Sequence, residues 1–267
     1  MLIDSSEKYI DELTKVWQKV FGDEKAYIDL LFNSVYKSAK TFAIIKRGEI
    51  ASCLYLLPCK LRFENQVYSG FYLYAAATLS EYRNQGLMAK LIAQAQRYAE
   101  KNKFDFISLV PANEALYAYY EKFNFITAMH KYVSTSSKMS GENFQLNMKP
   151  ASVEQVYQVR SKQTFNHFIW EKPELEYAMN CLKFYGTKAF ASEKGYCLYN
   201  EKSKIISELM FKSSETDFDL QDIKINSPYI LENYENKIEK FGMIFPINNK
   251  LKLSWSCYDI YMNLALD

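Results

Sequence analysis

Histidine and glycine are scarce in this sequence of 267 residues, which contains two histidines and eight glycines. His130 and His167 cannot form a histidine-rich metal site, and the HExxH motif of zinc proteases is absent. The sequence also lacks the GxSxG nucleophile elbow and the GxxxxGK phosphate loop. We therefore expect no metal ion and none of these hydrolase or nucleotide-binding sites.

Neither sign of charge dominates, because 33 Lys and Arg residues against 31 Asp and Glu residues give a net charge of +2. This balance gives no reason to expect nucleic acid or an anionic membrane as a partner. No apolar run approaches the ~20 residues that a membrane-spanning helix needs. The first ten residues lack the basic and apolar regions of a signal peptide.

The cysteines lack the spacing of a disulfide framework or a zinc site. Their number is odd and no CxxC pair occurs among Cys53, Cys59, Cys181, Cys197 and Cys257. This usage favours a reducing compartment, so we expect a cytoplasmic protein.

Aromatic residues are abundant, with 22 tyrosines and 18 phenylalanines, and hydrophobic residues make up 49% of the chain. The length allows one large domain or two ordinary ones, each with a sizeable core. Aromatic-lined cores or pockets follow from this composition, although compositional drift alone also explains it.

The first 35 residues are predicted to form two helices. Apolar residues recur at helical spacing from Ile10 to Val20, with Ser5 or Ser6 as a candidate N-cap and Gly22 just after the end. The second helix carries its apolar face around residues 28–35.

Strands and further helices follow up to residue 138. Two strand pairs are predicted, one turning at Arg47 and Gly48 and the other near Glu64 and Asn65. A helix over about 86–102, a short apolar strand, a helix capped by Asn113 and a returning strand complete this part. The strand–helix–strand crossover predicts a parallel pair inside a mostly antiparallel sheet, so the fold class is α+β.

The second half contains weak echoes of the first. The segment KTFAIIKRG at 40–48 is similar to TKAFASEKG at 187–195, a separation of 148 positions between the two Phe-Ala pairs. We interpret this as a duplicated and diverged domain, with chance similarity as the alternative. Small and polar residues at 136–144 favour a boundary that gives domains 1–138 and 139–267.

The segment RNQG, residues 83–86, lies between a predicted strand and a predicted helix. Gly86 allows a ligand to approach the backbone, and the unpaired amides of a first helical turn favour an anion. Arg83 adds a positive charge, and Asn84 and Gln85 add donors. A phosphate or pyrophosphate site is one interpretation, and a polar turn without ligand is the other. The second half has no counterpart of RNQG.

The residues around this loop resemble motif A of the GCN5-related N-acetyltransferases (GNAT), with its R/Q-x-x-G-x-G/A loop for coenzyme A. Arg83 and Gly86 match, whereas Met88 stands where a small residue is usual. The later segment NEALYAYYEKFNF resembles motif B, with Asn113 and Tyr120 at the expected spacing. Leu116 replaces Ala there.

In that same segment Asn124 replaces Gly, which is a mild change because Asn tolerates a left-handed backbone. The resemblance is specific over about 1–130 and loose beyond. Together, the segments VWQKVFGDEKAYIDLLF, SCLYLLPC and LVPANEALYAYYEKF resemble a bacterial tandem-domain subgroup, whose domain arrangement is also seen in the more distantly similar Eis-like acetyltransferases.

This resemblance implies a three-layer GNAT fold with a degenerate second domain, and acetyl-CoA as cosubstrate without a metal. The strand around Ala76 to Thr78 is expected to bulge and to separate from the next strand, so that its backbone binds the pantetheine arm. The implied cofactor-binding residues are Ala76, Ala77, Thr78, Arg83, Asn84, Gln85, Gly86, Leu87, Met88, Ala89 and Asn113.

The resemblance also implies direct attack of a primary amine on the acetyl group in a ternary complex. Tyr120 would protonate the leaving thiolate, with Tyr117 as the alternative acid. Asp267 would bring the C-terminal carboxylate to the active site, as in Eis-like enzymes, or would simply end a last strand. The general base stays open among further candidates, namely His130, Glu81, Asp23 and Glu24.

The second half is expected to help shape the acceptor pocket, or else to use its aromatic residues for core packing. These residues are predicted on two helices or near the end of the chain: Phe165, Phe168, Trp170, Tyr177, Phe184, Tyr185, Trp255 and Tyr258. A small-molecule or peptide amine is the expected acceptor, and the lack of acidic clusters does not favour an aminoglycoside. The alternatives are a non-catalytic acyl-CoA-binding module and a transferase with a bulkier acyl or aminoacyl donor.

Overall fold

The computed structural model describes residues 2–3, 7–135, 149–192, 195–211, 223–231, 234–248, 251 and 260–262. Within this part of the chain, six α-helices are present: α1 Ile10–Phe21, α2 Lys25–Phe32, α3 Leu87–Lys101, α4 Glu114–Glu121, α5 Val153–Ser161 and α6 Lys172–Phe184. Single 3-10 turns occur at Glu7–Tyr9, Val35–Lys37 and Ser80–Tyr82.

The same residues contain fourteen strands that belong to one mixed sheet. They are β1 Leu2–Ile3, β2 Lys40–Lys46, β3 Glu49–Phe63, β4 Gln66–Thr78, β5 Phe106–Leu109, β6 Ile126–Thr135, β7 Lys149–Pro150, β8 His167–Ile169, β9 Lys188–Ser192, β10 Gly195–Asn200, β11 Ile205–Phe211, β12 Lys224–Ser227, β13 Glu235–Pro246 and β14 Ile260–Tyr261. The order is β1-β2-β3-β4-β5-β13-β6-β12-β11-β10-β9-β7, with β14 beside β6 and β8, and β8 beside β3. The α+β class is confirmed.

Both predicted hairpin turns are present at the ends of β3. Arg47 and Gly48 have φ of 51° and 83°, and Glu64 and Asn65 have φ of 47° and 61°. Two successive positive φ angles are the signature of a type I′ turn, whose twist matches that of the flanking strands. The register of the β2–β3–β4 meander is therefore set locally by these turns.

Helix α1 ends where the sequence predicts. Gly22 has φ of 80°, and its N–H donates to the carbonyl of Gln18 at 3.0 Å. The candidate caps Ser5 and Ser6 lie outside the described residues, and the α-helix itself begins after Tyr9 without a side-chain cap.

Two hydrophobic cores lie on opposite faces of the first half of the sheet. The core that includes Trp17 of α1, Ile28 of α2 and Leu175 of α6 also contains Tyr72 and Tyr74 of β4. The core on the other face contains buried side chains of α3 and α4 together with the β4 residues that alternate with Tyr72 and Tyr74 along the strand. Helices thus cover both faces of the sheet, which gives three layers.

The strand pairings follow the same pattern from both ends of the sheet. From β1 to β5 all pairs are antiparallel except β4–β5, and from β7 through β9, β10 and β11 to β12 all pairs are antiparallel except β11–β12. At the centre, β13 pairs antiparallel with both β5 and β6, and β6 also pairs with β12. Strands from both sides of residue 138 therefore pair with one another in a single sheet. The division into domains 1–138 and 139–267 stays a prediction.

The connection from β4 to β5 differs in length from the connection from β11 to β12, which occupies the corresponding position at the other end of the sheet. Residues 79–105 connect β4 to β5 and contain α3, whereas residues 212–223 connect β11 to β12. The second connection, 12 residues long (212–223), is shorter than the 15-residue helix α3.

The prediction of two helices for the aromatic cluster of the second half is wrong for the residues before 171. Tyr177 and Phe184 lie on α6, but Phe168 lies on the strand β8, which pairs with Lys60–Arg62 of β3. The residues around Phe168 form a strand because they hydrogen-bond to a part of β3 that is distant in sequence. β2 pairs with β3 only as far as Leu56, so the edge of β3 beyond it needs another partner.

We expect a chain truncated after residue 138 to lose cooperative folding. The truncation removes β13 and exposes the edges of β5 and β6 that it pairs with, which favours aggregation. Far-ultraviolet circular dichroism melting and size-exclusion chromatography of the fragment and the full chain test this.

A matched variant restores β13 to the fragment. Because Thr135 and Glu235 lie opposite each other in the ladder, this variant joins residues 1–135 to 235–248 by a short linker. It is expected to melt more cooperatively than the fragment. A monomeric 1–138 fragment that melts as sharply as the full chain would contradict the expectation.

Candidate functional site

The parallel pairing of β4 with β5 is short. Three residue pairs form it, from Gly70 with Phe106 to Tyr72 with Ser108. β4 then continues to Thr78 beside β3 alone. A gap therefore opens in the sheet beyond this point, with unpaired backbone groups of β4 along one side among the described residues.

A bulge in β4 accompanies this gap, as the resemblance to the GNAT family implies. The register of β3 and β4 shifts between Cys53 and Tyr55, because β4 uses one more residue than β3 between the pairs Tyr55–Tyr74 and Cys53–Ala77. Ala75 in this stretch has φ of 45°, an uncommon angle for a residue with a Cβ. The bulge redirects the strand where it separates from β5.

A pocket of about 260 Å³ occupies the gap. Its floor and sides include Tyr74, Ala75 and Ala76 of β4, together with Leu109 and Val110 at the end of β5. Side chains from both faces of the sheet line it as well: Leu116 and Tyr120 from α4, and Trp17, Phe21, Asp23, Tyr27 and Tyr185 from α1, the turn that follows it, α2 and the C-cap of α6. The pocket thus connects the two sides of the sheet.

The RNQG loop follows directly on β4. Asn84 and Gly86 have φ of 60° and 70°, and α3 begins at Leu87. Arg83 Nε donates to the carbonyl of Thr78 at 3.2 Å, and Gln85 Nε2 donates to that of Glu81 at 3.3 Å. No atom lies within 4 Å of the position that a Cβ on Gly86 would take, so the space over this turn is open.

The start of α3 provides backbone donors at this open turn. Lys90 N–H donates to the carbonyl of Gly86 at 3.1 Å and is the first amide bonded within the helix. The amides of Leu87, Met88 and Ala89 therefore have no intrahelical acceptor, and the helix dipole adds partial positive charge. The Met88 side chain packs against the core under α3, which leaves its amide available despite the unusual side chain. This arrangement fits a phosphate or pyrophosphate.

Tyr120 forms part of the pocket wall and is 7% exposed. Burial, with a smaller contribution from Tyr119, raises its pKa to about 12. Its ring packs edge-on against those of Tyr119 and Phe125. The phenol therefore stays protonated throughout the neutral range and has a fixed position from which to donate a proton.

Tyr117, the alternative acid, occupies a different environment. Its hydroxyl donates to the carbonyl of Phe241 at 2.9 Å, and Lys240 Nζ lies 4.3 Å from its ring centre. Tyr117 is not among the described residues that line the pocket. Of the two tyrosines, the structure brings only Tyr120 into the pocket.

Asn113 caps α4, as predicted, since its side-chain oxygen accepts the N–H of Leu116 at 3.3 Å. It does not itself line the pocket, so the geometry assigns it a part in starting the helix that carries Tyr120. Asn124 after this helix has φ of 62°, which confirms the left-handed position that its replacement of glycine predicts.

The candidate bases fall into different surroundings. Asp23 lines the pocket, and Trp17 Nε1 donates to its Oδ2 at 2.7 Å. Glu24 and Glu81 are exposed, and Glu81 accepts the hydroxyl of Ser80. His130 is buried on β6 and does not line the pocket. Of these carboxylates and the imidazole, the structure brings Asp23 alone into contact with the pocket.

Asp267, Trp255 and Tyr258 lie outside the described residues. The pocket also contains aromatic side chains that sequence reasoning did not single out, chiefly Trp17, Tyr27 and Tyr74. They lie on apolar faces that predict only core packing. The sequence signal that could have indicated the contact is the spacing of Trp17 and Asp23, which are six residues apart along α1 and the turn after it.

Among the residues that the structure describes, no group of three or more His, Cys, Asp or Glu side chains is arranged to hold a metal ion. In the same part of the chain, none of the helices combines the length and the apolar character that crossing a membrane requires.

Comparison with known proteins gives a family for the part of the chain that contains this site. Residues 2–128 match the model of a family described as an acetyltransferase (GNAT) domain. This part of the chain belongs to the GNAT acetyltransferase superfamily. A search of curated proteins finds no match.

Solved structures with the same fold cover most of the chain. A probable N-acyltransferase from Enterococcus faecalis is 15% identical with a TM-score of 0.74, over 92% of this chain and 72% of that one. An acetyltransferase of the GCN5-related family from Anabaena variabilis is 13% identical with a TM-score of 0.72, over 93% and 73%. Eis1 from Mycobacterium abscessus is 11% identical with a TM-score of 0.69, over 91% and 72%. These likenesses show that the fold extends through both halves of the chain.

The cap at Asn113 yields a prediction. Asn113→Ala should lower the free energy of unfolding by about 0.5–1 kcal/mol, because the Leu116 N–H loses its side-chain acceptor and keeps only the backbone carbonyl of Asn113. Asn113→Ser should retain stability, since a serine hydroxyl caps as well. Urea unfolding followed by circular dichroism measures both. Equal stability of the alanine and serine variants would show that the cap contributes nothing, and weaker acetyl-CoA binding by a stable serine variant would assign the amide side chain to the cofactor instead.

Proposed function

We propose that the protein is an N-acetyltransferase that moves the acetyl group of acetyl-CoA to a primary amine within a ternary complex. The observation that carries the proposal is the pocket in the gap between β4 and β5, with Tyr120 on its wall and the open start of α3 directly after β4. Membership of residues 2–128 in the GNAT superfamily supports it.

The described residues fit coenzyme A at two places. The unpaired amides of Leu87, Met88 and Ala89 at the open Gly86 turn suit its pyrophosphate, with Arg83, Asn84 and Gln85 as further donors. The edge of Ala76, Ala77 and Thr78 that faces away from β3 has no strand partner in the described part of the chain, and suits the amides of the pantetheine arm as an added strand would.

Acetyl-CoA supplies a thioester whose carbonyl carbon accepts the amine. The nitrogen–carbon bond forms as the carbon–sulfur bond breaks. In our proposal Tyr120 gives its phenolic proton to the departing sulfur, and the proton released by the attacking amine returns the phenolate to the neutral form or passes to solvent. General acid catalysis requires a proton donor within hydrogen-bond reach of the leaving atom, and a phenol with a raised pKa donates only as negative charge develops on the sulfur.

We also propose that residues 139–267 form a degenerate GNAT-like domain that helps to shape the acceptor pocket. The strand pairings repeated from both ends of the sheet support the duplication, and Tyr185 at the end of α6 lines the pocket. A role for the carboxylate of Asp267 remains part of the proposal on the strength of the resemblance to Eis-like enzymes alone. The acceptor is a small-molecule or peptide amine.

Calorimetric titration with acetyl-CoA tests the cofactor site. We expect the wild-type protein to bind and Gly86→Trp to lose at least tenfold in affinity, because the indole would fill the open turn. Gly48→Trp is the matched control: Gly48 also has a positive φ and open surroundings, so it suffers similar backbone strain at a hairpin turn away from the pocket.

The outcomes separate the proposals. No binding by the wild type would mean that RNQG is only a turn, and the proposal would be withdrawn. Binding followed by release of CoA in the presence of amines supports the transferase. Binding without release for any amine would favour a non-catalytic acyl-CoA-binding module, and competition by longer acyl donors would favour a different acyltransferase.

The role of Tyr120 gives a second prediction. Tyr120→Phe should lower kcat by about 100-fold or more, the usual effect of removing a general acid, with little change in acetyl-CoA affinity. Tyr119→Phe and Tyr117→Phe are controls that keep the aromatic packing and lie outside the pocket lining. A kcat for Tyr120→Phe within threefold of wild type, or an equal loss in Tyr117→Phe, would exclude the assignment.

The pH dependence follows from the raised pKa of Tyr120. A phenol stays protonated below its pKa and loses its proton as the pH rises through it, here about 12. The wild-type kcat should therefore show no alkaline decrease from this group up to about pH 10. A decrease that is centred near or below pH 10 in the wild type and absent from Tyr120→Phe would contradict the prediction.

A further inference from the structure

We infer that the part of the pocket on the α1–α2 side is a subsite for a monoamine with an aromatic or apolar body, whose ammonium group lies at Asp23 while the body contacts Trp17 and Tyr185. The inference rests on the proposed function in one respect, namely that the bound amine is the molecule to be acetylated once its ammonium group has released a proton to solvent. The subsite itself depends only on the geometry of this wall.

The charge of the lining residues supports a ligand with a single positive group. Among the described residues that line the pocket, Asp23 is the only one with a charged side chain. Its Oδ2 accepts the indole N–H of Trp17 at 2.7 Å, which fixes the position of the carboxylate. A carboxylate has about four lone-pair sites, so one indole donor leaves room for an ammonium. A second ammonium on the ligand would find no counter-charge in this wall, and burying an unpaired charge is costly.

The aromatic side chains around Asp23 support an apolar body. The ring centres of Trp17 and Tyr74 are 5.5 Å apart, and those of Tyr27 and Tyr185 are also 5.5 Å apart. Aromatic faces attract a cation and offer flat apolar contact for a ring. The wall therefore combines one anion with several π surfaces.

Exposed aromatic residues continue this surface to the mouth of the pocket. Phe21 is 45% exposed and Tyr185 is 56% exposed, although both are large and apolar over most of their area. They belong to α1 and to the end of α6, and both line the pocket together with Asp23. A ligand that buries these rings gains hydrophobic free energy that a compact polar amine does not.

The size of the pocket limits the body. About 260 Å³ is slightly below the volume of typical ligand pockets, roughly 300–1,000 Å³, and part of it must also admit the thioester. A ligand with one ring on a short chain is therefore expected to fit this space better than a bulky polycyclic amine.

Fluorescence titration of the full chain tests the subsite, because Trp17 lies in its wall. The probes are 2-phenylethylamine, the neutral isostere 2-phenylethanol, ethylamine, spermidine and a tetrapeptide with a free N-terminus, each added with and without CoA. We expect 2-phenylethylamine to bind at least tenfold more tightly than each of the others. Calorimetry with the same probes verifies the affinities independently of the tryptophan signal.

Two variants separate the charge from the aromatic surface. Asp23→Asn, which preserves shape, should remove the preference for 2-phenylethylamine over 2-phenylethanol. Tyr185→Ala should weaken 2-phenylethylamine at least fivefold and leave ethylamine unchanged. Glu24→Gln is the matched control, since this neighbouring carboxylate is exposed and outside the pocket lining, and it should retain both preferences. Circular dichroism melting verifies that each variant is folded.

Several outcomes would overturn the inference. They are equal binding of the amine and the alcohol by the wild type, tighter binding of spermidine or the peptide, no binding of 2-phenylethylamine in either condition, and a preference that survives in folded Asp23→Asn. None of these depends on acetyl-CoA turnover. Failure of the acetyltransferase proposal therefore appears in the acetyl-CoA titration, and failure of the subsite appears here.

Discussion

The end of the β4–β5 pairing after Tyr72 and Ser108 is the constraint on which the site depends. β4 is held by β3 on one edge, and β5 is held by β13 on the other, through four pairs from Leu109–Met243 to Phe106–Pro246. The bulge at Ala75 turns β4 where the pairing stops. The outer ladders and the bulge together fix the course of the two strands, so the opening is part of the folded sheet.

The strand that holds β5 in place comes from the second half of the chain. β13 lies between β5 and β6, although these two strands belong to the first half. In return β6 pairs with β12 of the second half. The position of Val110 and Ala112 at the pocket therefore depends on residues more than 120 positions away in sequence, such as Met243 and Ile244. The second half stabilises the site even where it does not touch it.

The local features of the fold could be predicted from the sequence, whereas its long-range pairings could not. Arg47-Gly48 and Asn65 specify their turns through their own backbone preferences, and RNQG followed by an amphipathic helix indicates the open start of α3. By contrast, no residue in 235–246 signals that this segment lies between β5 and β6. Likewise, the bond from Trp17 to Asp23 joins an apolar helix face to a turn, and nothing in either segment distinguishes it from core packing.

The cysteines bear on whether the acetyl group could pass through the protein itself. The four in the described residues are buried, and none lines the pocket. Burial raises the pKa of Cys53 and Cys197 to about 12 and that of Cys181 to about 11, so these thiols are protonated and poor nucleophiles at neutral pH. No serine is among the described lining residues either. The pocket is instead lined by the phenol of Tyr120 on one side and by the Asp23 carboxylate among aromatic rings on the other, and our proposal of direct transfer between two bound ligands uses this arrangement.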